Sequence, residues 1–123
     1  TPTQFDGRRA AHGVLTLMMT LPALPAAAGT LACNGTIAQV MTTASGDLRV
    51  VPSWRNDWVT LCNVVSPWKG VPVDACKRWH AQALAAQIAQ TNTQTAYAST
   101  AATACAQMAV ASAADAPDTF SNN

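Results

Sequence analysis

Four cysteines in a chain of 123 residues are the feature that most restricts how this sequence can fold. They lie at Cys33, Cys62, Cys76 and Cys105, so all four follow an apolar segment near the start of the chain. An even number of cysteines in a short chain is typical of exported domains, in which disulfides supplement a small core. The sequence therefore predicts two disulfides and an oxidising compartment.

The four cysteines allow three pairings, and their spacing does not select one. We favour Cys62–Cys76 with Cys33–Cys105, because the first closes a short loop and the second joins the two ends of the domain. The alternative is zinc, since Cys76 and His80 would lie on one side of a helix and Cys62 could complete the ligand set. The chain has no C-x-x-C pair and one histidine beyond residue 28. We therefore predict no metal and no cofactor.

Residues 1–28 have the plan of a signal peptide or of an N-terminal extension that contains one. Arg8 and Arg9 precede an uncharged apolar run over residues 13–25, and three alanines at 26–28 provide a cleavage site after position 28. Two prolines interrupt the run before it reaches the ~20 residues that a bilayer-spanning helix needs. We expect a secreted or periplasmic protein without stable membrane insertion after export.

The formal net charge beyond residue 28 is zero, because this part of the chain has five Lys or Arg residues, five Asp and no Glu. A nucleic-acid-binding surface requires many more cations on one face, so nucleic acid is not a predicted partner. The segment from 29 to 110 is long enough for one domain. Alanine and polar residues dominate 111–123, which is predicted to be a flexible tail.

Local patterns indicate four strands and one principal helix. Stretches rich in β-branched and apolar residues are predicted to be strands, the first two of them joined by a turn at Ser45-Gly46-Asp47. They cover 36–42, 48–51, 58–64 and 95–99. The helix is predicted over about 74–90, with Asp74 as its N-cap. Its apolar face comprises Val73, Cys76, Trp79, Ala83 and Leu84, and Ile88 extends it.

The order of these elements predicts an α+β fold: a small disulfide-stapled antiparallel β-sheet, or a partial OB-like barrel, with one principal α-helix. The alternative is a mostly helical bundle, because residues 100–114 contain no helix breaker. The alanine-rich stretch after Cys105 indicates helix or coil where a barrel would need a last strand. Closure of a barrel is therefore left open.

Several short blocks support a resemblance that covers roughly Cys33 to Cys105. They are Cys33-Asn34-Gly35-Thr36-Ile37, Leu61-Cys62-Asn63-Val64, Trp68-Lys69-Gly70-Val71, Cys76-Lys77-Arg78-Trp79, Leu84, Tyr97 and Cys105. With them the chain resembles a group of small exported bacterial four-cysteine proteins of unassigned function. More distantly, its element order resembles the OB-fold B subunits of subtilase-cytotoxin and pertussis-like toxins, a likeness that implies a barrel and glycan binding.

The leading functional prediction is a secreted, non-catalytic binding module. Trp54 and Trp68 are predicted to be exposed and to contact a glycan or a protein, with hydrogen bonds from Arg55, Asn56 and Asp57. The competing interpretation is that these tryptophans pack over the core. A homo-oligomer would favour the glycan, because weak sites then act together.

Two other classes of function are a structural or inhibitor-like protein and an enzyme. A structural or inhibitor-like envelope protein without a small ligand is the alternative. An enzyme is not predicted, because His80 is the only histidine beyond residue 28 and lies next to a tryptophan on the predicted helix, without a recognisable nucleophile.

Overall fold

The computed structural model describes residues 28–123, which form two three-stranded antiparallel sheets and one α-helix. The strands are β1 (Gly29–Gly35), β2 (Ile37–Thr42), β3 (Asp47–Pro52), β4 (Val59–Asn63), β5 (Thr93–Thr100) and β6 (Thr119–Asn122). Helix α1 (Val73–Ala89) lies between β4 and β5. The sheets have the orders β1-β5-β6 and β2-β3-β4. The predicted α+β class is therefore confirmed, and the helical-bundle alternative is wrong.

The predicted signal peptide, residues 1–28, lies outside the described residues apart from Ala28. Within 28–123, no helix is long and apolar enough to cross a membrane.

The predicted hairpin is formed by β2 and β3, with Val40 opposite Val50. Burial alternates along β3, where Leu48 and Val50 face the core and their neighbours are partly exposed. This period of two is expected for a strand with one buried face. All five residues of β4 are buried, and Cys62 on β4 lies opposite Leu48.

The two sheets are connected where β1 passes into β2. Only Thr36 separates these strands, and its N–H donates to Ser53 Oγ at 3.1 Å, while the Ser53 N–H donates to the Thr36 carbonyl at 2.9 Å. A Cβ on Gly35 would collide with Ser53 Oγ. Glycine at position 35 therefore permits the close approach of strand and loop at this bend.

At the other edge, β4 contacts the C-terminal part of the chain. The Ala111 N–H donates to the Trp58 carbonyl at 2.7 Å, and the Thr60 N–H donates to the Ala111 carbonyl at 3.3 Å. These bonds form an isolated parallel bridge between Val59 and Ala111. These bonds attach the segment after Cys105 to the edge of the β2-β3-β4 sheet, but the six strands remain in two separate sheets and do not form one barrel.

Helix α1 begins one residue before the predicted start. Its N-cap is Pro72, whose extended backbone leads into the helix and whose carbonyl accepts the Cys76 N–H at 3.1 Å. The prediction of Asp74 as N-cap is therefore wrong, because Asp74 lies in the first turn and makes no side-chain cap hydrogen bond. Its negative charge still lies near the positive end of the helix dipole.

The buried face of α1 differs from the predicted face in its last two turns. Cys76, Trp79 and Ala83 are buried as predicted, whereas Leu84 is 38% exposed and Ile88 is 82% exposed. Amide side chains occupy the side of the helix next to β2: Gln87 and Gln90 donate from Nε2 to the carbonyls of Ala38 and Ile37, at 3.4 Å and 3.1 Å. Leu84 and Ile88 lie outside the core because the buried face of α1 is the one that carries Cys76, Trp79, Ala83 and Ala86.

The favoured disulfide pairing is confirmed. Cys62–Cys76 joins β4 to α1, and Cys33–Cys105 joins β1 to a single 3₁₀ turn at Cys105–Gln107. The described part of the chain has no free cysteine. Because disulfides persist in oxidising surroundings, the protein belongs to an oxidising compartment.

The C-terminal residues differ from the predicted tail. The sequence places the end of the domain at residue 110, whereas residues 119–122 form β6 and pair with β5. Phe120 lies opposite Thr95 and is only 3% exposed. A strand with one aromatic residue gives little local signal, but burying that ring against α1 and β5 orders the segment.

Two hydrophobic clusters make up the core. The larger lies between the β2-β3-β4 sheet and α1 and includes Trp79 and Phe120. The smaller lies between β1, β5 and the segment after Cys105, and includes Tyr97 and Met108. The segment over 105–118 thus covers one end of the molecule with few regular hydrogen bonds.

Candidate functional site

Two of the predicted ligand-binding residues, Trp54 and Arg55, hold the loop between β3 and β4 against the core. Trp54 is half-buried and packs edge-on against Tyr97, with ring centroids 6.4 Å apart and an interplanar angle of 83°. Arg55 donates from Nε to the Met108 carbonyl at 2.6 Å. Both side chains therefore connect this loop to the smaller core cluster.

The two other polar candidates form the exposed tip of the same loop. Asn56 is exposed and has a left-handed backbone conformation with φ 56°. The Asp57 carboxylate accepts the N–H of Trp58 at 2.7 Å. The tip thus carries polar groups on a turn, while the Trp54 ring lies against the core beneath it.

Trp68 belongs to a different loop, which forms a tight turn from Trp68 to Val71. The backbones of these two residues exchange hydrogen bonds of 3.1 Å and 2.9 Å. Lys69 and Gly70 between them have φ values of 46° and 87°. Two successive positive φ angles define a type I′ turn, which glycine adopts readily and lysine does not.

Lys69 is held in this conformation by its own side chain. Its ammonium donates to the carbonyls of Ser112 and Ala114, at 3.1 Å and 2.7 Å, and lies 4.6 Å from the centroid of the Trp68 ring. The positive charge is therefore engaged by two carbonyls and one aromatic face. Lys69 fastens the turn to the C-terminal segment.

A cleft of about 250 Å³ opens between this turn, the start of α1 and the C-terminal segment. We call it the helix-start cleft. Its wall is mixed: Lys69, Asp118 and backbone groups contribute more of the exposed surface than the apolar side chains do, and the buried Trp79 forms one edge. The lining residues are Lys69, Gly70, Val71, Pro72, Ala75, Trp79, Ala116, Pro117 and Asp118.

A second cleft, of about 350 Å³, lies over the β1-β5-β6 sheet. We call it the sheet cleft. Its lining consists mainly of small and apolar side chains, and residues Thr30, Leu31, Ala32, Ala96, Tyr97, Ala98, Asp118 and Thr119 form it.

Asp118 lines both clefts. Its position is fixed by its own N–H, which donates to the Ala96 carbonyl at 2.7 Å just before β6 begins. The side chain is exposed, and the one salt bridge within residues 28–123 joins Arg49 to Asp47. Asp118 is thus an acid without a salt-bridge partner in the described part of the chain, and it lies between the mixed helix-start cleft and the mainly apolar sheet cleft.

A third cavity, of about 380 Å³, has Asp115 in its lining. The Asp115 carboxylate accepts the Thr100 hydroxyl at 2.5 Å. The pKa of the Tyr97 phenol is raised well above its usual range, mainly by burial and secondly by the negative charge of Asp115. This acid is already part of an internal polar group and is less available to a ligand.

We expect Tyr97→Phe to stabilise the protein. Tyr97 is 1% exposed, and its hydroxyl has no hydrogen-bond partner among the described residues. Removing an unsatisfied buried hydroxyl should raise the free energy of unfolding by about 1 kcal/mol. Urea denaturation at neutral pH measures this change, and a loss of stability would contradict it.

The same variant should be less sensitive to alkaline pH. Because the folded-state pKa of Tyr97 is raised, its contribution to stability is complete below the unfolded pKa of about 10 and is lost as pH rises further. Tyr97→Phe lacks this ionisation. Its stability should therefore decline less steeply than that of the wild type above that pH.

Cys62 and Cys76, the two cysteines of the alternative zinc site, form a disulfide with each other. Neither thiolate is available to a metal or to a Cys–His pair with His80. Within residues 28–123 no group of three or more His, Cys, Asp or Glu side chains is placed to hold a metal ion.

Sequence reasoning located the loops but not Asp118. The acid lies in the segment predicted to be a tail, and only the pairing of β6 with β5 brings it beside the start of α1. The aspartate after Pro117 has no local pattern that would mark it.

In comparisons with protein-family models, curated proteins and solved structures, no match to this chain was found.

Proposed function

We propose that this protein is an exported, non-catalytic binding module whose ligand is a polypeptide segment. The observation that carries the proposal is the position of Asp118 between the helix-start cleft and the sheet cleft. An extended peptide presents side chains at regular intervals. Two apolar side chains would enter the two clefts, and a basic side chain or an N–H between them would bind the Asp118 carboxylate.

The tryptophans favour a polypeptide over a glycan. A sugar ring stacks on an open aromatic face, but Trp54 packs edge-on against Tyr97, and the Lys69 ammonium lies over the Trp68 ring. By contrast, the sheet cleft offers mainly apolar walls, and the helix-start cleft combines apolar residues with the charged Lys69 and Asp118. Apolar side chains gain more from such walls than hydroxyl-rich rings do.

Two observations support export. Two disulfides hold the folded domain, and the apolar run over 13–25 follows Arg8 and Arg9 in the order of a signal peptide. We place the protein outside the cytoplasm, secreted or in a periplasm. A non-catalytic role is supported by the pairing of Cys76 with Cys62, which leaves the half-buried His80 on α1 without a thiolate to activate.

The test is selection from a random peptide library on the purified, oxidised protein. Enriched peptides should combine two apolar residues with a basic residue between them. Asp118→Asn should weaken their binding by about tenfold or more, because a charge-assisted hydrogen bond contributes roughly 1.5–3 kcal/mol. Isothermal titration calorimetry with one selected peptide measures the change.

Asp57→Asn is the matched control, because Asp57 is also an exposed aspartate but lies at the tip of the β3–β4 loop. It should leave the affinity unchanged. Binding that survives Asp118→Asn but is lost in Asp57→Asn would place the site on the predicted loop instead. Binding of array glycans with no enriched peptide would favour the carbohydrate function.

A further inference from the structure

The outer face of α1 is apolar over its last two and a half turns. Ile88 is 82% exposed and Leu84 is 38% exposed, and the residues that surround them on this face are alanines. The patch consists of Ala81, Leu84, Ala85, Ile88 and Ala89, all of them exposed. We call it the α1 outer patch. Leu84 and Ile88 are two of the three large hydrophobic side chains that are exposed in the described part of the chain, and clustering of such residues is typical of interaction sites.

We propose that the α1 outer patch binds the same patch of a second copy, with the two helices antiparallel. The charges at the two ends of α1 select this partner. Lys77 and Arg78 are exposed near the start of the helix, and neither forms a salt bridge within residues 28–123. The last turn of α1 carries no basic residue to balance the negative end of its dipole.

An antiparallel pair brings these complementary ends together. Each copy places Lys77 and Arg78 beside the carbonyl end of the partner's helix, where a positive charge is favourable. A parallel pair would instead place the cations of both copies side by side, which costs energy. The charges therefore select the antiparallel orientation.

The apolar residues set the register. If the pair is centred between positions 84 and 85, Ala81 of one copy lies opposite Ile88 of the other and Leu84 lies opposite Ala85, while Ala89 at the edge of the patch lies opposite the half-buried His80. Small residues at 81 and 85 allow the two axes to approach to about 8 Å. A shift of one turn toward the start of α1 would bury Lys77 against the partner's patch, which is unfavourable.

The size of the patch limits the strength of the dimer. From position 81 to 89 the helix rises about 12 Å, so the buried area is well below the ~800 Å² per partner of a stable interface. The balanced charge beyond residue 28 adds no net repulsion between copies. The dimer should therefore be weak and reversible, and should appear only at high protein concentration.

Sedimentation velocity of the purified, oxidised protein tests this proposal. The weight-average sedimentation coefficient should rise between about 10 µM and about 1 mM for the wild type and should stay at the monomer value for Ile88→Glu. Val65→Glu is the matched control, since Val65 is 71% exposed but lies outside α1, and it should dimerise like the wild type. A wild type that stays monomeric throughout overturns the proposal, as does a dimer that Ile88→Glu leaves intact.

A charge pair tests the register. In the proposed dimer, Ala81→Lys combined with Ile88→Glu places a lysine opposite the partner's glutamate, so the double variant should recover the concentration dependence that Ile88→Glu loses. In a parallel dimer like charges would meet, and no recovery would occur. An unchanged melting temperature in both variants shows that folding is intact, and failure of the double variant to recover overturns the antiparallel arrangement.

Discussion

Replacing Cys33 and Cys105 together by alanine should lower the free energy of unfolding by about 4 kcal/mol. The two cysteines are 72 residues apart in sequence, so their bond removes a large loop-closure entropy from the unfolded chain. For a domain of this size the loss corresponds to a decrease in melting temperature of roughly 20 °C. Differential scanning calorimetry of the wild type and the variant measures it.

The other disulfide is the internal comparison. Cys62 and Cys76 are 14 residues apart, and their replacement by alanine should cost about 3 kcal/mol on the same basis. An equal or larger loss in this second variant would contradict the chain-entropy explanation and would show that packing in the larger core cluster dominates. The wild type should react with no alkylating reagent before reduction, because every cysteine is paired.

Local signals explain why part of the fold could be predicted. In the β2–β3 hairpin, burial alternates along β3 and a glycine lies in the turn, so period and turn chemistry agree. Helix α1 has a long stretch without Gly or Pro. The spacing of the cysteines leaves the pairing open, and the favoured pairing is confirmed because the loop between β4 and α1 brings Cys62 beside Cys76.

The strands at the two ends could not be predicted from local pattern. β1 has the sequence Gly-Thr-Leu-Ala-Cys-Asn-Gly, which contains one β-branched residue and two glycines, and β6 has four residues. Both form because β5 pairs with each of them. Such long-range pairing outweighs a weak intrinsic preference.

Long-range contacts also explain why the predicted site differs from the observed clefts. Trp54 and Trp68 were selected for residue type, but their environment depends on contacts with Tyr97 and Lys69 that no spacing reveals. Asp118 acquires its position through β6. The exposure of Ile88 likewise depends on which side of α1 packs on the sheet, and that side carries Cys76, Trp79, Ala83 and Ala86.

Replacing Trp79 by alanine should cost about 3–5 kcal/mol, the typical loss for an aromatic residue removed from a core. Trp79 is 8% exposed and packs against Phe120 with ring centroids 6.4 Å apart. Urea denaturation followed by far-ultraviolet circular dichroism measures the loss. If the alanine variant does not fold, Trp79→Phe provides the measurement, with a smaller decrease because most of the ring area remains.

Trp68→Ala is the matched control for Trp79. Trp68 is half-exposed, and its specific contact is the Lys69 ammonium, so its removal should cost about 1 kcal/mol or less. A loss below about 1 kcal/mol for Trp79→Ala would contradict its place in the core. Trp79 also lines the helix-start cleft. Trp79→Phe should therefore lower the affinity for a peptide that enters this cleft, and Trp68→Ala should leave that affinity unchanged. Trp79→Phe therefore reports on both core packing and the proposed peptide site, and Trp68→Ala is the control for both measurements.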